Sequence, residues 1–179
     1  LIKDGKPNYP TRIFINEDLK VAVFSSFLPI AEPMHRIVAR TMLSWARKHK
    51  ISLIVSGVAV KSQADGEQIL AAASTEEAKK KLNEAGFSIL THGTIPGIPG
   101  LLLNEGMVNN QNVAVILFNS VGTGPDFKAS AELCLAMSKL IPGISCDLGM
   151  LQKEAEKAEK DIKEAEEEAK DLRSSAMYG

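Results

Sequence analysis

Two stretches of this sequence, Ile51–Val60 and Val113–Val121, are almost unbroken runs of aliphatic and β-branched residues at strand length. A strand that is apolar on both sides needs cover on both sides, so such runs belong to a largely parallel sheet flanked by helices. The intervening sequence supplies those helices. After Pro29 and Pro33, Met34, Ile37, Val38, Met42 and Trp45 recur at helical spacing, with Arg36, Arg40, Arg47 and Lys48 off that stripe. Ile51–Val60 reads as a central strand. Ile69–Ala73 and Phe87–Leu90 read as shorter strands, joined by a short helix that a Ser74/Glu77 capping box opens and Gly86 stops. Pro125 suits the first position of a last body helix carrying Phe127, Ala131, Cys134 and Met137 as far as Pro142. Ahead of all this, Thr11–Ile15 and Val21–Phe27 flank a turn and read as a hairpin. The alternation predicts an α/β chain, a three-layer αβα sandwich with a mostly parallel central sheet.

Residues 1–147 are expected to form this core domain and residues 148–179 a charged C-terminal helix and tail. Charge restricts the partners. Of 21 basic and 22 acidic residues, residues 152–173 hold six and nine, so neither region is basic enough for sequence-independent phosphate contacts, and nucleic acid is not an expected partner. No apolar run nears the roughly 20 residues of a membrane span and no signal-peptide pattern precedes the body, which predicts no membrane partner and a cytoplasmic location. Cys134 and Cys146 lack metal-type spacing and read as core filler in a reducing compartment. The chain begins at Leu1, and its first eleven residues show no period.

From Leu148 the apolar residues fall at 151, 155, 158, 162, 165, 169 and 172, alternating by three and four. Four of these eight seam positions are Ala, so each contact buries little, and the helix suits a spacer or a shallow contact better than a freestanding coiled coil. At ~1.5 Å per residue it projects its end roughly 30 Å. That end is Met177, Tyr178 and Gly179. An apolar residue, an aromatic one and a carboxylate form a compact plug for a pocket that offers a cation and backbone donors.

Two glycine-rich turns invite an enzymatic reading: GTIPGIPG at Gly93–Gly100, with Gly97 between, and SVGTGP at Ser120–Pro125, which holds Gly122 and Gly124 and is followed by Asp126. Glycines before a helix can cradle phosphate. Neither turn carries the Gly-Lys-Ser/Thr of a P-loop, and the second lacks the third glycine of the dinucleotide fingerprint, so no cofactor is expected. His35, His49 and His92 have no metal-type spacing, Ser25 and Ser26 lack a nucleophile elbow, Asp147 has no partner in the pattern, and Asp126 fits dipole compensation in a first helical turn. No metal site and no catalytic residue is expected.

THGTIPGIPGLLLNEG (Thr91–Gly106) and NVAVILFNSVGTGPDFKASAELCLAMSKL (Asn112–Leu140), with PNYPTRIF (Pro7–Phe14) and IVSGVAV (Ile54–Val60), resemble the proteasome assembly chaperone family in its archaeal form. The resemblance spans about residues 7–173, and Gly93–Leu103 is its most specific part. It implies a phosphorylase/hydrolase-like sandwich without an established catalytic centre, and homo-oligomers. It also implies that Met177, Tyr178 and Gly179 are a hydrophobic-Tyr-any motif that docks between α-subunits of the proteasome core particle. Against the family pattern, a glycine-rich strand-turn-helix expected ahead of this region is missing, and some members fold the tail onto their own core. The expected function is ATP-independent assembly or gating of the core particle. The alternatives are a nucleoside or phosphate-ester phosphorylase or hydrolase, and an oligomeric scaffold with a sequestered tail.

Overall fold

A computed structural model describes residues 2–3, 5–26, 28–60, 69–120, 126–153 and 156–157. The short pair β1 (Ile2–Lys3) and β2 (Lys6–Pro7) precedes a hairpin of β3 (Thr11–Asn16) and β4 (Val21–Ser26). Helix α1 (His35–Lys48) leads to β5 (Ile54–Val60). Then come β6 (Leu70–Ala73), α2 (Glu76–Glu84), β7 (Ser88–Ile89), α3 (Gly97–Val108), β8 (Val113–Asn119) and α4 (Phe127–Leu140).

The central sheet runs β5-β8-β6-β7. β5 pairs with β8 and β6 with β7 in parallel, while β6 and β8 are antiparallel. Strand β8 shows why both faces are covered: Val113 and Val115 point to one side and Ala114 and Ile116 to the other, all of them buried. Val113 and Val115 join Ala39 and Leu43 of α1 and Leu102 of α3. Ala114 and Ile116 join Ala71, Leu82, Phe87 and Ala136, which brings in α2 and α4. The result is the expected α/β sandwich with helices on both sides of a mostly parallel sheet.

Four details differ from the sequence reading. β5 is an edge strand among the described residues rather than a central one, because apolar composition reports cover on the two faces and not the number of neighbouring strands. On α1 the buried positions are Ala39, Leu43 and Ala46, while Met34 and Ile37 stay exposed; small alanines let the helix sit close, which the larger apolar residues on the neighbouring stripe do not. The cap of α2 is Thr75, whose Oγ1 accepts from the Ala78 amide at 3.1 Å; Ser74 is used elsewhere, donating to the Gln111 carbonyl at 2.6 Å and accepting from the Val113 amide at 2.8 Å. Asp126, expected within the first turn of α4, is instead its cap, and the first residue of the helix is Phe127; Pro125 lies outside the described residues.

Thr75 also donates to the Asn112 Oδ1 at 2.5 Å, joining the start of α2 to the start of β8. Thr75→Ala is expected to cost about 1–2 kcal/mol, read as a lowered denaturation midpoint with an unchanged m-value. The Asn112 amide, and after it the Lys81 ammonium, holds the Glu77 carboxyl below its ordinary 4.5. A depressed folded value contributes stability that is present above the unfolded value and lost as pH falls through the folded one. Glu77→Gln is therefore expected to melt below the parent at neutral pH, with the two melting curves converging under pH 4.5.

Candidate functional site

The turn from Gly93 to Gly100 is built by backbone demands. Gly93 and Gly97 have φ of +156° and +70°, conformations that L side chains rarely adopt. Gly100 lies buried in the first turn of α3, and a Cβ there would overlap the Ile95 carbonyl oxygen. The spacing of glycines thus folds the loop onto its own helix and lets Ile95 pack with Leu102 and Val113. As an anion cradle this helix start is poor: its cap is Pro96, no side chain caps it, and Pro99 removes one of the amides that would point at a phosphate.

Of the second turn, Gly122, Gly124 and Pro125 lie outside the described residues. Asp126 is described, and both its carboxylate oxygens are engaged. Oδ1 accepts from the Ala129 amide at 2.9 Å as the cap of α4, and Oδ2 accepts from Ser120 Oγ at 2.9 Å, which ties the end of β8 to the helix. The three histidines stay apart in local roles. His35 Nε2 lies 2.9 Å from the Ile30 carbonyl, His49 stacks on Trp45 with centroids 4.3 Å apart, and His92 Nδ1 lies 3.2 Å from its neighbour Thr91. Among the described residues no group of three metal-ligating side chains gathers, and no helix is long and apolar enough to cross a membrane.

An open cleft of about 380 Å³ lies between α1 and α3. Its polar walls are already matched to each other: Arg40 pairs with Glu105 at 3.0 Å, Arg47 donates to Gln111 Oε1 at 3.1 Å, and Gln111 Nε2 donates to the Leu43 carbonyl at 3.0 Å. These contacts lock the two helices side by side. They present no nucleophile beside a base.

After α4 the chain turns into its C-terminal helix. Asp147 opens it, with Oδ1 accepting from the Met150 amide at 3.0 Å and its carbonyl from the Leu151 amide at 3.1 Å. Residues 148–153 and 156–157 are helical, and Gln152 donates to Glu156 Oε1 at 3.2 Å. Met177, Tyr178 and Gly179, and most of the predicted seam, lie outside the described residues. One feature was not expected from the sequence. Cys134 and Cys146 are not separate core filler; they form a disulfide with Cα atoms 5.7 Å apart, because the turn at Pro142–Gly143 returns the chain along α4. Twelve residues of separation with a Pro-Gly turn between them was the available signal.

The PAC2 family model matches residues 1–166. No curated protein matches the sequence. Among solved structures, PbaA of Pyrococcus furiosus, an archaeal homologue of the proteasome-assembly chaperone, superposes with a TM-score of 0.77 at 23% identity, over 97% of this chain and 76% of that one. A Thermoplasma acidophilum protein of unknown function gives 0.70 at 24%, over 96% and 70%. Pyrococcus furiosus PbaB, an archaeal proteasome activator, gives 0.55 at 22%, over 87% and 77%.

Proposed function

The chain belongs to the PAC2 family, and on that premise we propose that it is an ATP-independent proteasome-assembly factor that engages the α-ring of the core particle through Met177, Tyr178 and Gly179. The observation that carries this reading is the family match over residues 1–166. PAC2 members are proteasome assembly chaperones and not known enzymes. The Gly93–Gly100 turn, used for packing rather than for ligand donors, agrees with a body that presents rather than reacts.

In this reading the body is a scaffold and the helix a spacer. Met177 fills an apolar step in the pocket, Tyr178 wedges beside the gate, and the Gly179 carboxylate meets a lysine on the pocket wall. One such contact is weak. Several copies joined in a homo-oligomer convert the later contacts into intramolecular events, so affinity rises without new chemistry. Apolar side chains left exposed on both faces of the β3–β4 hairpin, among them Phe14 at 49%, Ile15 at 61% and Val23 at 54%, support association between copies.

The test is retention of purified α-rings on the immobilised chain, followed by hydrolysis of a fluorogenic peptide by assembled core particle with and without the chain. Retention together with faster hydrolysis assigns gate opening. Retention with faster ring assembly and unchanged hydrolysis assigns an assembly role. Absence of retention at low salt rejects the proposal.

A further inference from the structure

The disulfide and the base of the C-terminal helix meet at one place. Among the described residues both buried clusters are filled by residues up to and including α4, and the last one packed against either of them is Leu140. Beyond it, among the described residues, Leu148 and Met150 are 41% and 64% exposed and the helix start is held by its own Asp147 cap. The loop 141–146 makes local backbone bonds, Ile141 to Met137 and Ile144 to Ile141, and its Gly143 lies close to Leu19 at the hairpin turn. Cys146 sits immediately before the capping aspartate, and its sulfur is bonded to Cys134, whose helix is packed on the sheet.

We infer that the Cys134–Cys146 pair is a redox-controlled clamp: oxidised, it fixes the base of the C-terminal helix to α4, and reduced, it releases the segment from Ile141 onward from the body. The co-reactant is a low-molecular-weight disulfide such as oxidised glutathione. One cysteine thiolate attacks a sulfur of that disulfide and expels one glutathione thiolate. The second cysteine thiolate then attacks the protein sulfur of the mixed disulfide and expels the other. Two protein thiols and one glutathione disulfide become one protein disulfide and two glutathione thiols, the two thiol protons passing to the departing thiolates. A clamp here acts on the helix base and leaves the sheet untouched, since neither cysteine belongs to the buried clusters.

The clamp operates whatever the tail binds, and its test uses the full chain alone. The chain is equilibrated with oxidised or reduced glutathione, free thiols are counted by alkylation and mass spectrometry, and amide exchange is followed residue by residue. Oxidised glutathione is expected to leave no alkylatable thiol, and reduction is expected to speed exchange at the Ile144 and Leu151 amides about tenfold while Ile116 is unchanged. Cys146→Ser is expected to exchange at the reduced rate in both buffers. Two alkylatable thiols in oxidised glutathione, or equal exchange rates at Ile144 and Leu151 in the two states of the parent, would overturn it.

Discussion

Gly100→Ala is expected to cost about 3 kcal/mol or more and to lower the melting temperature by roughly 6–12 °C, a large fraction of a domain's stability. The new methyl would run into a backbone carbonyl, that of Ile95, instead of the end of a side chain that can swing away. To make room, the turn before α3 must back off its own helix, which pulls Ile95 from the cluster of Leu102, Val113 and Val115. Gly86 is the control. It has φ +82°, but nothing lies within 4 Å of the place an added methyl would take, so Gly86→Ala is expected to cost only about 1 kcal/mol, from backbone strain alone. Thermal denaturation of both variants checks the pair; equal small losses would show that the turn is not packed as described.

Tyr178→Ala is expected to weaken α-ring binding by roughly 30-fold for each engaged tail, since an anchoring aromatic in a desolvated pocket contributes about 2 kcal/mol or more. In an oligomer whose tails engage together, losses multiply across copies until retention disappears. The body is expected not to register the change; among the described residues its two buried clusters draw on none beyond Leu140. Raised salt is expected to weaken the parent further by screening the contact between terminal carboxylate and lysine. If instead the tail is packed on its own core, the same substitution lowers the melting temperature and binding does not depend on it. Isothermal titration with purified α-rings, run beside calorimetric melting, separates the two.

The layers of this protein were legible because burying both sides of a strand leaves a compositional mark, as in β8, where Val113 and Val115 enter one core and Ala114 and Ile116 the other. Register within a helix was less legible. Alanine is neutral in a periodicity count, so the stripe on α1 was placed through Met34 and Ile37 when the close contacts are made by Ala39 and Ala46. Strand order leaves no local trace: the edge position of β5 and the antiparallel pairing of β6 with β8 follow from long-range connections. The Ser74–Thr75 shift has the same character, since two adjacent hydroxyls compete for one cap and the choice is made by Gln111 and Asn112, 37 residues away. For the site, sequence offered the terminal plug and the glycine turns. Structure assigns packing and capping roles to Gly100 and Asp126 and adds the Cys134–Cys146 bond, which depended on a turn whose direction no pattern specified.

In the proposed function the last three residues make the contact with the proteasome. The decisive measurement compares the affinity of purified α-rings for the intact chain and for a chain ending at Ala176, at two salt concentrations, with melting temperature and oligomer mass determined on the same samples. Loss of binding by about 30-fold or more, with melting and mass unchanged, is expected. Equal affinities for the two chains would contradict it.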